Sequence, residues 1–196
     1  MRSVRSLLAG VAIIVLIQAG LVEAVHARQA LTLLPVPESR MWIDGTSNRS
    51  DWTVEAKELG GLFVFEGMSV KSAVIEVPAE HIESTVSRIM DRLMYKTIKS
   101  AQHPVVSFQL SGATPMVEGT DGAVSLTARG QLTIAGTSKE VSFPVVGRRE
   151  SADGWRFTGQ VAMLLTDFGM EPPTALFGAL HTGDQVTIRF DVVARP

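Results

Sequence analysis

From Val124 to Ala194 apolar and polar residues alternate along successive segments of the chain. Trp155, Phe157, Gly159, Val161, Met163 and Leu165 fall on one face of an extended segment, and Arg156, Thr158, Gln160 and Thr166 on the other. The last segment repeats this, with Val186, Ile188, Phe190, Val192 and Ala194 set against Gln185, Thr187, Arg189 and Asp191. A period of two marks a strand with one dry and one wet face. Several such strands in succession need a shared apolar interior, which implies a sandwich or a closed barrel.

The same reading extends to the rest of the chain. Met41 to Ser47, Trp52 to Ala56 and Val70 to Val77 are strand candidates, and Leu59-Gly60-Gly61 is a turn before the apolar run Leu62 to Phe65. Between Val86 and Met94 the period changes: Val86, Ile89, Met90, Leu93 and Met94 sit at helical spacing. Ser84 or Ser87 is the expected cap, Pro104 bounds the helix from behind, and the apolar stripe is expected to pack on the sheet. Strands resume with Val106, Phe108 and Leu110, then from Val124 to Ile134, and from Val141 to Val145. Turns are expected at 119–122, around 136–138, at Asp153-Gly154 and at Gly183-Asp184. Pro172-Pro173 introduces a short segment, Thr174 to Leu180, read as one or two helical turns. Short connections between about eight strands favour antiparallel neighbours.

The first 27 residues do not fit this scheme. Arg2 and Arg5 precede an apolar run from Leu7 to Ile17, and small residues at Ala24 and Ala27 follow. That is the layout of a cleaved secretory signal peptide, too short and too interrupted (Gln18) for a permanent membrane anchor. Residues 28–39 then read as an extended lead-in and 40–196 as one folded domain. The expected location is periplasmic or secreted, in a bacterium. The chain has no cysteine, so it folds on its core alone, without disulfides. Its 18 basic residues against 20 acidic ones give a net charge of −2, with no basic patch, which argues against nucleic acid as a partner.

Catalytic patterns are scarce. His26, His81, His103 and His181 are scattered, with no helical metal spacing. There is no Gly-x-Ser-x-Gly elbow, phosphate-cradling loop or cysteine nucleophile. The carboxylate pairs Glu80/Glu83 and Asp184/Asp191 sit at turn or solvent-facing positions. Asp167-Phe168-Gly169 matches the kinase metal-binding tripeptide by letters but lacks a catalytic loop before it. A strand-ending turn, with Phe168 plugging the barrel end, accounts for it better. Asn48-Arg49-Ser50 fits the glycosylation sequon. No catalytic residue, metal or cofactor is expected.

Four motifs carry a resemblance. His103-Pro104-Val105-Val106-Ser107-Phe108, the run Gly130 to Val141, Thr166-Asp167-Phe168-Gly169-Met170, and Gly183-Asp184-Gln185-Val186-Thr187-Ile188 resemble, in order and spacing, signatures of the YceI-like family. The resemblance spans roughly Arg40 to Ala194. It implies an all-β fold: an eight-stranded antiparallel lipocalin-like barrel with one amphipathic helix and a short helical segment. It also implies a non-enzymatic, exported carrier of long isoprenoid lipids held in an apolar tunnel. The chain departs from the family pattern at Gly45-Thr46-Ser47, Asp51-Trp52 and Met90 to Lys99, regions expected to shape the tunnel mouth.

The inward-facing set expected to line that tunnel follows from the alternation. It takes Phe63 and Phe65; Val106, Phe108 and Leu110; Leu126, Ala128, Gly130 and Leu132; and Phe143. From the later segments it takes Trp155, Phe157, Gly159, Val161 and Met163, then Phe168 and Phe177, then Val186, Ile188 and Phe190. Ala128, Gly130 and Gly159 are expected to leave space along the axis. An eight-stranded barrel is the size at which side chains just fill the interior or one ligand fits. The expected partner is an amphiphilic lipid, isoprenoid or quinone-like, and a homodimer stays open. The alternative is a filled barrel acting through its outer surface, on which Val146, Leu164 and Val193 would be exposed apolar residues. An enzyme acting on a hydrophobic substrate would need an inward acid, base or nucleophile, and the sequence nominates none.

Overall fold

The computed structural model describes residues 30–84 and 88–196. The expected signal peptide lies outside these residues, as do Val86 and Ser87 at the start of the expected helix.

The eight antiparallel strands follow one another around a closed ring. Strand β1 runs in two segments, Ala30–Pro35 and Arg40–Ser47. Strand β2 comprises Trp52–Ala56 and Gly60–Glu66, and β3 comprises Ser69–Pro78 and Ile82–Ser84. The paired segments keep the same neighbours across each interruption, with the register shifted by one residue between β1 and β2 and by two between β2 and β3. Met41 pairs with Ala56 and Leu33 with Phe63, while Ala56 pairs with Ile82 and Gly60 with Glu76. Each pair of segments therefore behaves as one long bent strand. Strands β4 (Val105–Ala113), β5 (Val124–Ile134), β6 (Thr137–Arg149), β7 (Trp155–Leu164) and β8 (Leu180–Arg195) complete the meander. Pairing of β8 with β1, Pro35 to Ala194 and Ile43 to Ile188, closes the wall. A closed wall leaves no free edge along the ring.

The residues read as a lead-in therefore supply half of a barrel strand. The bend at 36–39 between the two halves folds over β8. The Ser39 hydroxyl donates to the Val193 carbonyl (3.0 Å) and accepts the Val193 amide (3.1 Å), while the Val36 amide donates to the same carbonyl. Val193, expected on an exposed face, is fully buried beneath this bend. Val146 and Leu164 do stand exposed.

Strand β5 shows the predicted alternation over its whole length, every inward residue from Val124 to Ile134 buried. Its turn into β6 is tighter than expected. Ile134 pairs directly with Thr137, and Ala135 (φ 50°) and Gly136 (φ 80°) form a two-residue turn, the twist that suits a hairpin. Gly60 and Gly61 lie inside β2 rather than in a turn, and Gly183-Asp184 forms a bulge inside β8.

Helix α1 (Arg88–Thr97) stops well before Pro104. Lys99 takes a left-handed conformation (φ 54°), the Ser100 amide donates to Tyr95 O, and the Lys99 amide donates to Lys96 O. This pair of bonds satisfies the last carbonyls and ends the helix without the proline. Ser84, one of the two expected caps, is a strand residue, and its amide donates to Asp91 Oδ1 (2.6 Å). The 174–180 segment, expected as one or two helical turns, is a short strand, Thr174–Ala175, followed by a single 3-10 turn, Leu176–Gly178.

Candidate functional site

One end of the barrel is shut by stacked aromatics. The Trp155 ring lies 5.8 Å from that of Phe157 at an 8° interplanar angle, and Phe157 stacks on Phe65 at 5.7 Å and 9°. The Arg149 guanidinium covers Trp155 from outside, 4.9 Å from its ring, a favourable cation–π position. Leu33, Val124 and Ala194 fill the space between them. Trp155, expected to line a tunnel, is thus part of its floor.

Above the floor lies a chamber of about 130 Å³. Of the expected residues, Phe63, Phe65, Val106, Phe108, Leu110, Leu126 and Ala128 line it. So do Leu132, Phe143, Phe157, Val161, Ile188 and Phe190. Met41, Val70, Ala73, Ile75, Val77, Val141, Val145 and Val192 also line it. Val141, Val145 and Val192 lie on alternating faces visible in sequence, whereas Met41, Val70, Ala73, Ile75 and Val77 lie in segments read only as strands. Ser107 is the one polar residue in this wall, and no ionisable side chain reaches it.

A second chamber, of about 410 Å³, opens at the other end. The two adjoin, sharing Met41, Val77, Val106 and Ile188. Met163 and Val186, both expected, lie in the second wall with Met90, Leu93, Met94 and Ile98. The stripe of α1 roofs a cavity, Met94 also packs on the sheet residues Val54, Ala56, Val77 and Ile82 as expected, and no residue of α1 is fully buried. Polar groups gather only at this end. Ser47, Arg49, Ser50 and Asp51 come from the β1–β2 turn, Thr97 from the C-terminal end of α1, and Thr174 and Thr182 from the β8 hairpin. Both stretches in which the chain departs from the family pattern, Gly45 to Trp52 and the helix, meet at this mouth.

Several expected lining residues are placed elsewhere. Gly130 and Gly159 leave no open space. A Cβ at Gly130 would stand 2.6 Å from the Phe108 ring, and one at Gly159 2.5 Å from Phe190 Cζ. Phe168 is buried in the wall behind the mouth with Leu132, Ile134, Met163 and Val186, outside the cavity surface. Phe177 points away from the lumen and is fully exposed. Its backbone is left-handed (φ 56°, ψ 34°), which turns the side chain outward.

Two of the sequence motifs meet at the mouth. Asp184 accepts the Thr166 amide (2.9 Å) and the Thr166 hydroxyl (2.6 Å), and these bonds hold its carboxyl below its ordinary pKa. The Phe168 amide donates to Leu165 O, and Gly169 at φ 65° ends the turn. The Asp-Phe-Gly tripeptide is therefore a corner that sets Phe168 into the core. A second clamp joins the β1–β2 turn to the β8 hairpin. Asn48 Nδ2 donates to Ala179 O (2.9 Å), and the His181 amide donates to Asn48 Oδ1 (3.1 Å).

The remaining polar groups of interest lie outside the lumen. His81 contacts Glu58 (2.7 Å) with both side chains more than half exposed. Asp191 accepts both its bonds from Arg156, and Glu80 accepts from Ser100 (3.2 Å). Among the described residues no group of three or more His, Asp or Glu side chains is placed to hold a metal ion, and no helix is long and apolar enough to cross a membrane.

The YceI-like domain model matches residues 40–194, and the chain belongs to that family. It is similar in structure to Burkholderia cenocepacia BcnA (TM-score 0.65, 17% identity, covering 79% of this chain and 95% of that one). It is also similar to a polyisoprenoid binding domain from Saccharophagus degradans implicated in plant cell wall breakdown (TM-score 0.67, 12% identity, 85% and 99%). A third likeness is to the Campylobacter jejuni YceI protein (TM-score 0.57, 17% identity, 77% and 84%). At these identities the likeness is one of fold. No curated protein matches the chain.

Proposed function

We propose that this YceI-like protein is an exported, non-catalytic carrier that holds the tail of an amphiphilic isoprenoid-like or quinone-like lipid in its lumen. The observation that carries this reading is the pair of adjoining apolar chambers, closed at an aromatic floor and opening at a polar rim. A tail lying from the mouth towards Phe65 and Phe157 leaves its head beside Arg49, Ser50 and Asp51. The Saccharophagus domain of the same fold, named for polyisoprenoid binding, supports this ligand class.

Burial supplies the affinity. Each methylene moved from water contributes about 0.8 kcal/mol, so one isoprene unit contributes roughly 3–4 kcal/mol before ordering costs. Selectivity then falls to lumen length and the few polar groups at the rim. The wall of the deep chamber holds no ionisable group, so it offers no acid or base to a buried tail, and nothing there activates the Ser107 hydroxyl. The segment 1–27 fits export through its signal-like layout.

The test is organic extraction and native mass spectrometry of protein purified from its own host. A stoichiometric apolar lipid is expected, and delipidated protein should melt higher when a prenol is returned to it. A lipid-free protein whose melting ignores prenols and quinones alike would refute the carrier.

A further inference from the structure

The side of the molecule that carries the mouth also carries exposed large apolar side chains. Phe177 is fully exposed, at the tip of a hairpin in which Thr174 and Ala175 pair with His181 and Leu180, and Thr174, Ala175 and Leu180 line the cavity entrance. The aromatic is held out rather than left loose. Gly178 follows it at φ 89°, the Thr182 amide donates to Pro173 O (3.0 Å), and Asn48 clamps the hairpin from the facing turn. Across the entrance, α1 presents Ile89, 62% exposed, on the helix whose Met90, Leu93 and Met94 line the cavity. Cations accompany them: Arg49 at the rim and Arg88, Arg92 and Lys96 exposed along α1. The acidic groups nearby are Asp51 at the rim, Asp91, which accepts the Ser84 amide, Glu80 and Glu83, whose charges act on Tyr95 of α1, and Glu171, exposed beside the cavity-lining Met170.

We propose that the mouth end is a membrane-docking surface. Phe177 enters the acyl boundary of an anionic bilayer while Arg49 and the α1 cations meet its headgroups, setting the open lumen against the membrane. An exposed aromatic beside basic residues is the pattern of an interfacial anchor. Continuity with the lumen selects a lipid surface over other occupants, because an apolar tail then passes from bilayer to barrel without crossing water. Docking extends the lipid-binding reading of the lumen, yet it is tested without any isoprenoid.

The chain has no cysteine, so Phe177→Cys provides a single site for an environment-sensitive nitrobenzoxadiazole label. Val117→Cys, in the exposed hairpin after β4 at the closed end, is the control. Mixed with phosphatidylcholine vesicles containing about one-third phosphatidylglycerol, the label at 177 should shift to the blue and brighten, and the label at 117 should not. In unlabelled protein, Phe177→Ser should lower vesicle partitioning about tenfold. Arg88→Glu with Arg92→Glu, or added salt, should weaken it as well. Prenol binding by Phe177→Ser in vesicle-free solution should stay unchanged, which separates docking from the carrier function. A label at 177 that keeps its aqueous emission with every vesicle overturns docking even if prenols bind. A shift that instead grows with protein concentration in the absence of vesicles overturns it in favour of a second copy.

Discussion

The ring of Phe190 occupies the place where a side chain on Gly159 would stand. The two residues pair directly between β8 and β7, and a Cβ at Gly159 would lie 2.5 Å from Phe190 Cζ and 2.7 Å from the Pro144 carbonyl oxygen. The same arrangement recurs at Gly45 under Trp52 and at Gly130 under Phe108. A glycine beneath a neighbouring aromatic lets the ring lie along the sheet. Gly159→Ala should therefore destabilise the barrel by about 1–3 kcal/mol through overpacking, read as a lower urea midpoint with an unchanged slope. Because the Pro144 carbonyl is as near as the ring, Phe190→Leu should restore only part of this loss.

Filling the lumen should separate folding from binding. Val161 is only partly buried and faces the deep chamber. Val161→Trp should cost at most about 1–3 kcal/mol of stability while lowering prenol affinity at least about tenfold, as measured by displacement of a fluorescent lipid. A variant that folds and binds as before would show that the tail does not reach this chamber.

Truncating the floor should act in the opposite direction. Trp155 is 6% exposed, stacked on Phe157 and covered by Arg149. Trp155→Ala should cost about 3–5 kcal/mol, seen in thermal unfolding. The loss should exceed that from Arg149→Ala, whose cation–π contact is worth about 0.5–1 kcal/mol at an exposed site.

Acid should weaken the fold from a defined point. The Arg189 guanidinium holds the Asp44 carboxyl below its ordinary value, assisted by the Thr53 hydroxyl and opposed by burial. Hydrogen bonds from Thr166 do the same for Asp184. A carboxyl whose pKa is lower folded than unfolded adds stability above the unfolded value, and that stability fades as pH falls through the folded one. The urea midpoint should stay level from about pH 8 to about pH 5 and decline below about pH 4. Asp44→Asn should lower the plateau and flatten the decline.

The hairpin clamp should be local. Asn48→Ala removes the bonds to Ala179 O and from the His181 amide, each worth about 0.5–1.5 kcal/mol. Because these groups are exposed, the melting temperature should change little. Amide exchange at His181 and Thr182 should speed up about tenfold, as read by hydrogen-exchange mass spectrometry.

Much of the architecture was legible. The alternation through 124–134 and 155–165 matches strands whose inward residues are mostly buried, and the helical spacing after Val86 lies on α1. Short-range signals succeeded where the local pattern and the fold agree. They failed where a distant partner decides. Residues 30–35 are too few to announce a barrel strand by themselves, and they become one because Phe63 and Ala194 offer matching edges. Val193 sits at an outward position and is buried because the bend at Ser39 closes over it.

At the site, the period of a strand was enough to place most of the inward side chains between β4 and β8, though not Phe168 or Phe177, which lie outside the strands. It could not determine where the interior is hollow. Emptiness is a difference between the enclosed volume and the side chains that converge from all eight strands, and cross-strand register sets both. Hence the glycines expected to open space lie under Phe108 and Phe190, and the void falls instead among phenylalanine and aliphatic side chains, those two rings included. That Phe177 is held outward, that Trp155 forms a floor, and that α1 roofs a mouth came from packing across the fold. Each depends on groups brought together from distant parts of the chain.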